Sequence, residues 1–422
     1  MGWAFGCGPS LTSETHWQKR SRMFALLRKK SNLLFGLGLI APCLIYFCVF
    51  FVWPIGNMLY RGIDNPEVSV GMPKTSVAIA SWAGDELPSD AVFDALGQDL
   101  ALDGREMGYK RAAAARRLNY EISSFRALIM ESARAASKLD QPPNRQKILE
   151  IDERWGEIKY WHAMQRAARP ITPHYMLTAV DLMENDDGSI SRVPENRALF
   201  IKVLGRTFWM STVVTLFCVL IAFPVAHGIA MAPAKTRSLL LMLVLLPFWT
   251  SLLVRTSAWV ILLQPNGLIN NALISIGLIE KPLSLIFNRT GVYVAFIHVM
   301  LPFVVLPLYS VMVGVSKDYV HAAYSLGASI PHTFLKVYLP MVWPGVWSGG
   351  LLCFVVCLGY YITPLLVGGS KDQMISYFIA FFTNRTINWG LAASLAIVLC
   401  LSVFILLAIY GWFSRKTLAT GR

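Results

Sequence analysis

Acidic residues are nearly absent from most of this chain. Of its 25 Asp and Glu, 21 lie between Arg61 and Arg197, alongside 18 of the 38 Lys and Arg; the remaining acids are Glu14, Glu280, Asp318 and Asp372. No carboxylate therefore falls in the middle of an apolar run, where proton- or sodium-coupled carriers keep buried acids or a broken-helix ion site. The sequence also lacks G-x-x-x-x-G-K-[ST], H-E-x-x-H and G-x-S-x-G, which argues against a nucleotide cradle of the usual kind and against the common hydrolytic constellations. Cysteine is missing from residues 61 to 200, so no disulfide staples that stretch. Cys43, Cys48, Cys218, Cys353, Cys357 and Cys400 sit in apolar runs and Cys7 in the N-terminal tail. Cys353 and Cys357 are spaced i, i+4, but no second Cys/His pair with metal spacing joins them, and small buried thiols are expected rather than a metal site. No low-complexity tract occurs.

What the chain has in abundance is apolar sequence: 55% of its 422 residues, against 15% charged, with a mean hydropathy of +0.50. That composition describes a membrane protein. Six runs approach the length of about 20 residues needed to cross hydrocarbon as a helix: Leu33–Trp53, Thr207–His227, Ser238–Gln264, Gly291–Val315, Val342–Val367 and Gly390–Phe413. Pro224, Pro247, Pro302 and Pro307 are tolerable inside them, because neighbouring helices can satisfy the freed carbonyls, and kinks are expected at all four. Lys19, Arg20, Arg22, Arg28, Lys29 and Lys30 precede the first run, and Arg415, Lys416 and Arg422 follow the last. Basic flanks stay in the cytoplasm, so both ends are expected inside, with 61–200 outside. The first run is long for a signal peptide and no A-x-A-like site closes it, so it is expected to remain as a span.

The expected division is a basic cytoplasmic tail over 1–32, a first transmembrane helix over 33–60, a helical extracytoplasmic insertion over 61–200, a five-helix core over 201–415 and a short cytoplasmic tail over 416–422. Within the insertion, Gly104–Asp140 places Leu118, Ile122, Phe125, Leu128 and Ile129 at helical intervals, and Arg145–Arg169 repeats the character. A helical hairpin hinged at Gln141-Pro142-Pro143-Asn144 follows from that pattern. Its charged faces read as solvated, with no chemistry of their own.

The most specific stretch is the inner loop at 316–340. It reads as a short helix stopped at Gly327, then a second helix with Ser329 at its N-cap and Pro331 in its first turn, ending before Pro340. Ala322, Ala323 and Gly327 give a flat face that another protein can approach closely. This loop resembles the E-A-A-x-x-x-G-A-S signature, continuing to Leu-Pro, of the permease subunits of bacterial ATP-binding-cassette importers. Ala322, Ala323, Gly327, Ala328, Ser329, Phe334, Leu339 and Pro340 match, near Asp318, while His321 stands where that family usually has Glu. The resemblance implies an all-α membrane protein with a six-transmembrane-helix permease fold, enlarged here by the insertion. It implies that the loop seats in a groove of an ATPase subunit and couples ATP hydrolysis to alternating access.

Two further stretches, Leu246–Trp259 and Tyr361–Gly369 with Asn388-Trp389-Gly390, are similar to the spermidine/putrescine-type permeases. The partners implied are a second permease subunit, identical or homologous, two ATP-binding-cassette ATPase subunits, a periplasmic solute-binding protein and the lipid bilayer, with no nucleic acid. ATP and Mg belong to the ATPase subunits and no cofactor to this chain. Phe248, Trp249, Arg255, Trp259, Tyr360, Tyr361 and Thr363 are candidates for the translocation path, although aromatics at span ends are commonly interface anchors. Arg255 either lines that path, pins an outer gate, or satisfies carbonyls freed around Pro247. His227 and His298 read as packed or interfacial. The solute can be a polyamine, another small cation, or an opine-like amino-acid derivative. A stand-alone carrier or channel and an integral membrane enzyme are the rival readings.

Overall fold

The computed structural model describes residues 38–185 and 187–420, with the side chains of 412–420 left aside. The basic N-terminal tail, Cys7 and Arg422 lie outside the described residues. The chain divides into two compact units, before and after residue 58. The first is represented by α1 (Gly38–Tyr60), an apolar helix with a π turn at Cys48–Val52. Tyr46 and Phe50 pack ring to ring along it at 4.7 Å.

In the second unit the insertion forms first. It comprises α2 (Glu67–Gly71), α3 (Pro73–Ile79), α4 (Asp90–Ala101), α5 (Arg105–Glu121), α6 (Phe125–Ala136), α7 (Arg145–Ile151), α8 (Ile158–Ala168) and α9 (His174–Ala179), then a hairpin of β1 (Leu182–Glu184) and β2 (Ile190–Arg192). A two-helix hairpin about residues 141–144 is not what forms. The chain turns at Ser123-Ser124, with Ser124 at φ +80°, and splits Gly104–Asp140 into α5 and α6. The turn lets Leu118 and the Phe125, Leu128 and Ile129 face of α6 enter one core with Phe93, Trp155 and Trp161. Burying that many large side chains is the main stabilising term for a domain with a core of its own. Asn144 caps α7 by accepting from the Lys147 N–H at 3.0 Å. Entry and exit of the domain meet at a bridge between Asp64 and Ile171, closed by Asn65 N–H to Pro170 O and Thr172 N–H to Ile63 O, each 2.9 Å.

The bundle follows: α10 (Phe200–Met231), α11 (Ala234–Trp249), α12 (Leu252–Leu262), α13 (Leu268–Ser275), α14 (Arg289–Val313), α15 (Lys317–Ser325), α16 (Ile330–Gly359), α17 (Ile362–Val367), α18 (Ile375–Asn384) and α19 (Trp389–Thr420). Among the described residues five helices are long and apolar enough to cross a membrane, or six when α11 and α12 count as one. The third apolar run is thus not one straight helix, because α11 and α12 meet at 95°. The break falls just after Pro247, at Thr250-Ser251, whereas α10 and α14 run unbroken through Pro224, Pro302 and Pro307. A second correction concerns Pro340. The helix does not end before it but continues as α16, through a π turn at Phe334–Tyr338. The Pro340 ring would meet the Lys336 carbonyl in a regular α-helix, and Lys336 lies in that wider turn.

Bundle helices meet on small residues. A Cβ at Gly345 would lie 2.9 Å from the Val311 Cβ, and one at Gly349 3.0 Å from the Val304 carbonyl, so α14 and α16 approach backbone to backbone. Cys218, Cys353 and Cys357 are buried at the junction of α10 and α16, but Cys43, Cys48 and Cys400 are exposed. Those three are lone thiols on outward helix faces rather than buried packing residues.

Candidate functional site: the 316–340 elbow and the broken span

The elbow is built by local chemistry. Ser316 caps α15, its Oγ accepting from the Asp318 N–H at 3.2 Å and donating to the Asp318 carboxylate at 2.7 Å. Gly327, at φ +84°, then ends the helix, with Gly327 N–H to Tyr324 O at 2.9 Å and Ala328 N–H to Ala323 O at 3.0 Å. A Cβ at Gly327 would touch nothing within 4 Å, so it is the left-handed backbone, not crowding within this chain, that calls for glycine. Ser329 occupies the N-cap position of α16 in extended backbone, without a side-chain bond, and Pro331 sits in the first turn.

The outward side of this elbow is apolar and uncovered: Leu326 is 87% and Ile330 73% exposed, beside exposed Ala322 and half-buried Ala323 and Ala328. Phe334 packs edge-on against Phe223 of α10 at 5.8 Å. Leu339 and exposed Pro340 continue α16 beyond the π turn. Behind the elbow, between α15, the start of α16 and the end of α10, lies a cavity of about 440 Å³ lined in part by His227, Lys317, His321 and Thr333. His227 Nδ1 is 2.8 Å from the Tyr338 hydroxyl. Sequence reasoning did not connect His227 or Thr333 with His321. Their positions on three separate helical segments hide the relation, and neither carries a spacing signal.

The seven candidate path residues are divided between two places, although α12 packs against α17. At the break in the third span, the Arg255 guanidinium donates to the carbonyls of Pro247 and Thr250, the latter at 3.1 Å, and Nε reaches the Thr250 hydroxyl at 3.3 Å. These contacts are the ones expected where Arg255 satisfies carbonyls around Pro247. Phe248 packs on Phe303 at 5.1 Å, Trp249 is 88% exposed, and Trp259 Nε1 donates to His298 Nδ1 at 3.2 Å. On the other side Tyr360 stacks on Phe296 at 5.3 Å, and Thr363 is buried. Tyr361 lines a separate cavity of about 490 Å³ with Tyr377, Phe381 and Arg385. Another, of about 440 Å³, lies between α10, α11 and α14 and is walled by Pro224, Gly228, Pro247, His298 and Pro302. Asp372 is tied to Arg289 at 3.1 Å. Among the described residues no group of three His, Cys, Asp or Glu is placed to hold a metal ion.

The insertion meets this bundle through several contacts, among them the Ser394 hydroxyl, which donates to the Gly62 carbonyl at 3.2 Å. Asp181 accepts from the N–H groups of Leu199, Phe200 and Ile201 at 3.0, 3.0 and 2.8 Å, which caps α10. Glu121 is shared by Arg117 at 3.0 Å, Arg166 at 3.5 Å and His174 at 3.3 Å, beside Tyr175, which packs on Gly390. Burial above all, with Arg117 and Arg166 adding to it and Glu121 opposing, pushes the His174 imidazole down to about 4.

Residues 206–418 match the family model of the binding-protein-dependent transport system inner membrane component, beginning after the insertion. The chain is 32% identical over 251 residues to the spermidine/putrescine transport system permease protein PotB of Salmonella typhimurium (strain LT2), covering 58% of this chain and 88% of that protein. Against PotB of Escherichia coli (strain K12) the identity is 31%, covering 58% and 91%. The inner membrane ABC transporter permease protein YdcU of the same organism is 29% identical over 254 residues, covering 55% and 79%. Among solved structures, a chain of a bacterial ABC transporter for import of the acidic polysaccharide alginate aligns with a TM-score of 0.43 at 19% identity, covering 51% of this chain and 79% of that one.

Proposed function

The chain belongs to the family of binding-protein-dependent transport system inner membrane components, and from that premise we propose that it passes a polyamine, spermidine or putrescine, inward from a periplasmic solute-binding protein. It is a multi-pass inner-membrane permease subunit of an ATP-binding-cassette importer, of a family whose members are not themselves enzymes. The observation that carries the reading is the elbow at 316–340, which turns an uncovered apolar knuckle outward on a helix–Gly–helix support. That knuckle would seat in an ATPase subunit, one of two, each holding its own ATP and Mg. A second permease subunit would complete the path. Both termini would face the cytoplasm, consistent with the basic residues at each end, and the insertion would face the periplasm.

The continuity of α16 supports a mechanism of alternating access. Ile330 of the knuckle and the span that leads to Tyr360 belong to one helix, so a push on the second arm of the elbow reaches the far half of the bundle without crossing a further loop. The polyamine reading is supported by the PotB relatives, named for spermidine and putrescine. Asp372, near the path candidates, is already paired with Arg289, and selection of ammonium groups is assigned to the binding protein. The test is uptake of labelled spermidine by cells carrying the complete transporter, with Gly327→Val as the coupling variant. Uptake should be lost while the chain still inserts, since valine is costly at positive φ. Normal uptake in the variant would remove the coupling assignment. Uptake that spermidine and putrescine fail to compete, but an amino-acid derivative does, would replace the solute.

A further inference from the structure

We propose that the cavity behind the elbow receives a carboxylate side chain of the ATPase subunit, so that the contact at His321 has the opposite charge sense to that of the family's usual Glu. The inference rests on the docking proposed above and adds to it the chemistry of one contact. Lys317 and His321 from α15, His227 from the end of α10 and Thr333 from α16 all line the cavity, and no carboxylate does. The neighbouring acid, Asp318, is held by the Ser316 hydroxyl at 2.7 Å. Thr333 is 1% exposed, and its hydroxyl has no hydrogen-bond partner among the described residues. A buried hydroxyl left without a partner beside an open, otherwise largely apolar cavity marks a place where an acceptor or donor is missing. His227 gives Nδ1 to the contact with Tyr338, and its Nε2 has no partner among the described residues.

An ammonium, two imidazoles and an unmet hydroxyl around one space are a donor set for an anion. A carboxylate is the anion a partner protein brings on its own side chains, and the uncovered knuckle of Leu326 and Ile330 lies on the same elbow. With Glu at 321 the same space would hold an acid of its own and would call for a base opposite. Histidine there, next to Lys317, calls for an acid. The predicted partner feature is therefore an Asp or Glu on the rim of the ATPase groove.

The test uses the whole transporter, purified from membranes in mild detergent with its ATPase and treated with a water-soluble carbodiimide. The reagent condenses the Lys317 amine with a carboxylate in contact to give an amide, taking up the water released. The expected product is a peptide joining Lys317 to an Asp or Glu of the ATPase, absent from Lys317→Arg, whose guanidinium forms no such amide. Lys317→Glu combined with His321→Glu should lower ATPase recovery at least tenfold, and changing the cross-linked acid to Lys should restore it. An assembled complex in which Lys317 joins no ATPase acid, or joins acids of this chain alone, overturns the inference and leaves the docking intact. A wild-type purification that yields no ATPase overturns the docking and this contact together.

Discussion

Between Asn65 and Ala168 one core is filled by large fully buried side chains, Trp155, Trp161, Phe93, Phe125, Leu96 and Leu118, with Ala114, Ala115, Ala163 and Ala167 between them, and even Arg117 is enclosed. Between Phe200 and Gly359 the buried positions are often small, with Ala222, Ala226, Cys218, Gly345 and Gly349 at the contacts, while Leu216, Phe217, Leu220 and Trp343 face outward. Both regions are helical, so secondary structure does not separate them. The surroundings do. In water, removing apolar area is the driving force, and a domain gains most by hiding its largest side chains. In a bilayer the lipid is as apolar as leucine, so association rests on close packing and on satisfied polar groups, which small residues and the Arg255 carbonyl contacts supply.

The sharpest way to break this comparison is Trp161→Ala. The indole is fully buried, lies 4.7 Å from Phe93 and 5.3 Å from Trp155, and donates to the Trp155 carbonyl at 2.9 Å. Its loss should destabilise the insertion by about 3–5 kcal/mol. Hydrogen exchange on the full chain in detergent should show α4 to α8 losing protection while α14 and α16 keep theirs. Equal loss in both regions would mean that insertion and bundle unfold as one body.

A smaller effect belongs to the buried ionic cluster inside the insertion. His174 is held neutral down to about 4, whereas the unfolded imidazole titrates near its usual 6.5. Between those values the unfolded chain binds the extra proton, so this contribution to stability is complete above pH 6.5 and is lost progressively as pH falls towards 4. Protection of the α5 and α9 amides should fall across that window and stay level in His174→Gln. Against the burial that would raise it, His174, Arg117 and Arg166 hold the neighbouring Glu121 carboxyl below its usual range. Equal slopes in the two proteins would place the pH response elsewhere.

How much of this was readable from the sequence also differs between the regions. The spans were legible because hydrocarbon forbids charge, and a run free of charge is a direct signature of that. Gly327 was legible because a helix stop needs a residue that tolerates positive φ. The insertion was misread at Ser124, since α5 and α6 share one helical periodicity and nothing marks a non-glycine residue at φ +80°. Pro340 was misread because the rule that proline ends a helix omits the π turn that accommodates it. The cavity behind the elbow was out of reach: Thr333 is unremarked in sequence, and its hydroxyl matters only because α10 and α15 close around it.

The bundle's counterpart to Trp161 is an addition rather than a deletion. Gly349→Leu drives a side chain into the Val304 carbonyl and should cost about 1–3 kcal/mol, read as a lower midpoint of detergent-induced unfolding. Gly350, whose added Cβ would meet only Val219 and Thr215 side chains at 3.6 and 3.8 Å, is the control. Ala at 350 should be near neutral. If Gly349→Leu were as mild, α14 and α16 would have room to separate and close backbone packing would not be what holds them.

The smallest effect sits where the two regions join. Asp181 adopts φ +54°, a left-handed backbone that Asp tolerates better than most residues, and from there its carboxylate collects three N–H groups at the start of α10. Asp181→Ala leaves those donors without their acceptor and removes a negative charge from the positive end of the helix dipole, at a cost of about 1–2 kcal/mol. Asp181→Asn keeps one acceptor oxygen and should lie between. Because the carboxylate belongs to the insertion and the donors to the first long span after it, the loss should appear on both sides: faster exchange at Leu199–Ile201, and faster exchange in β1 and β2. A change confined to the hairpin would mean that α10 is held by its packing in the bundle alone, and that the insertion rides on it without support in return.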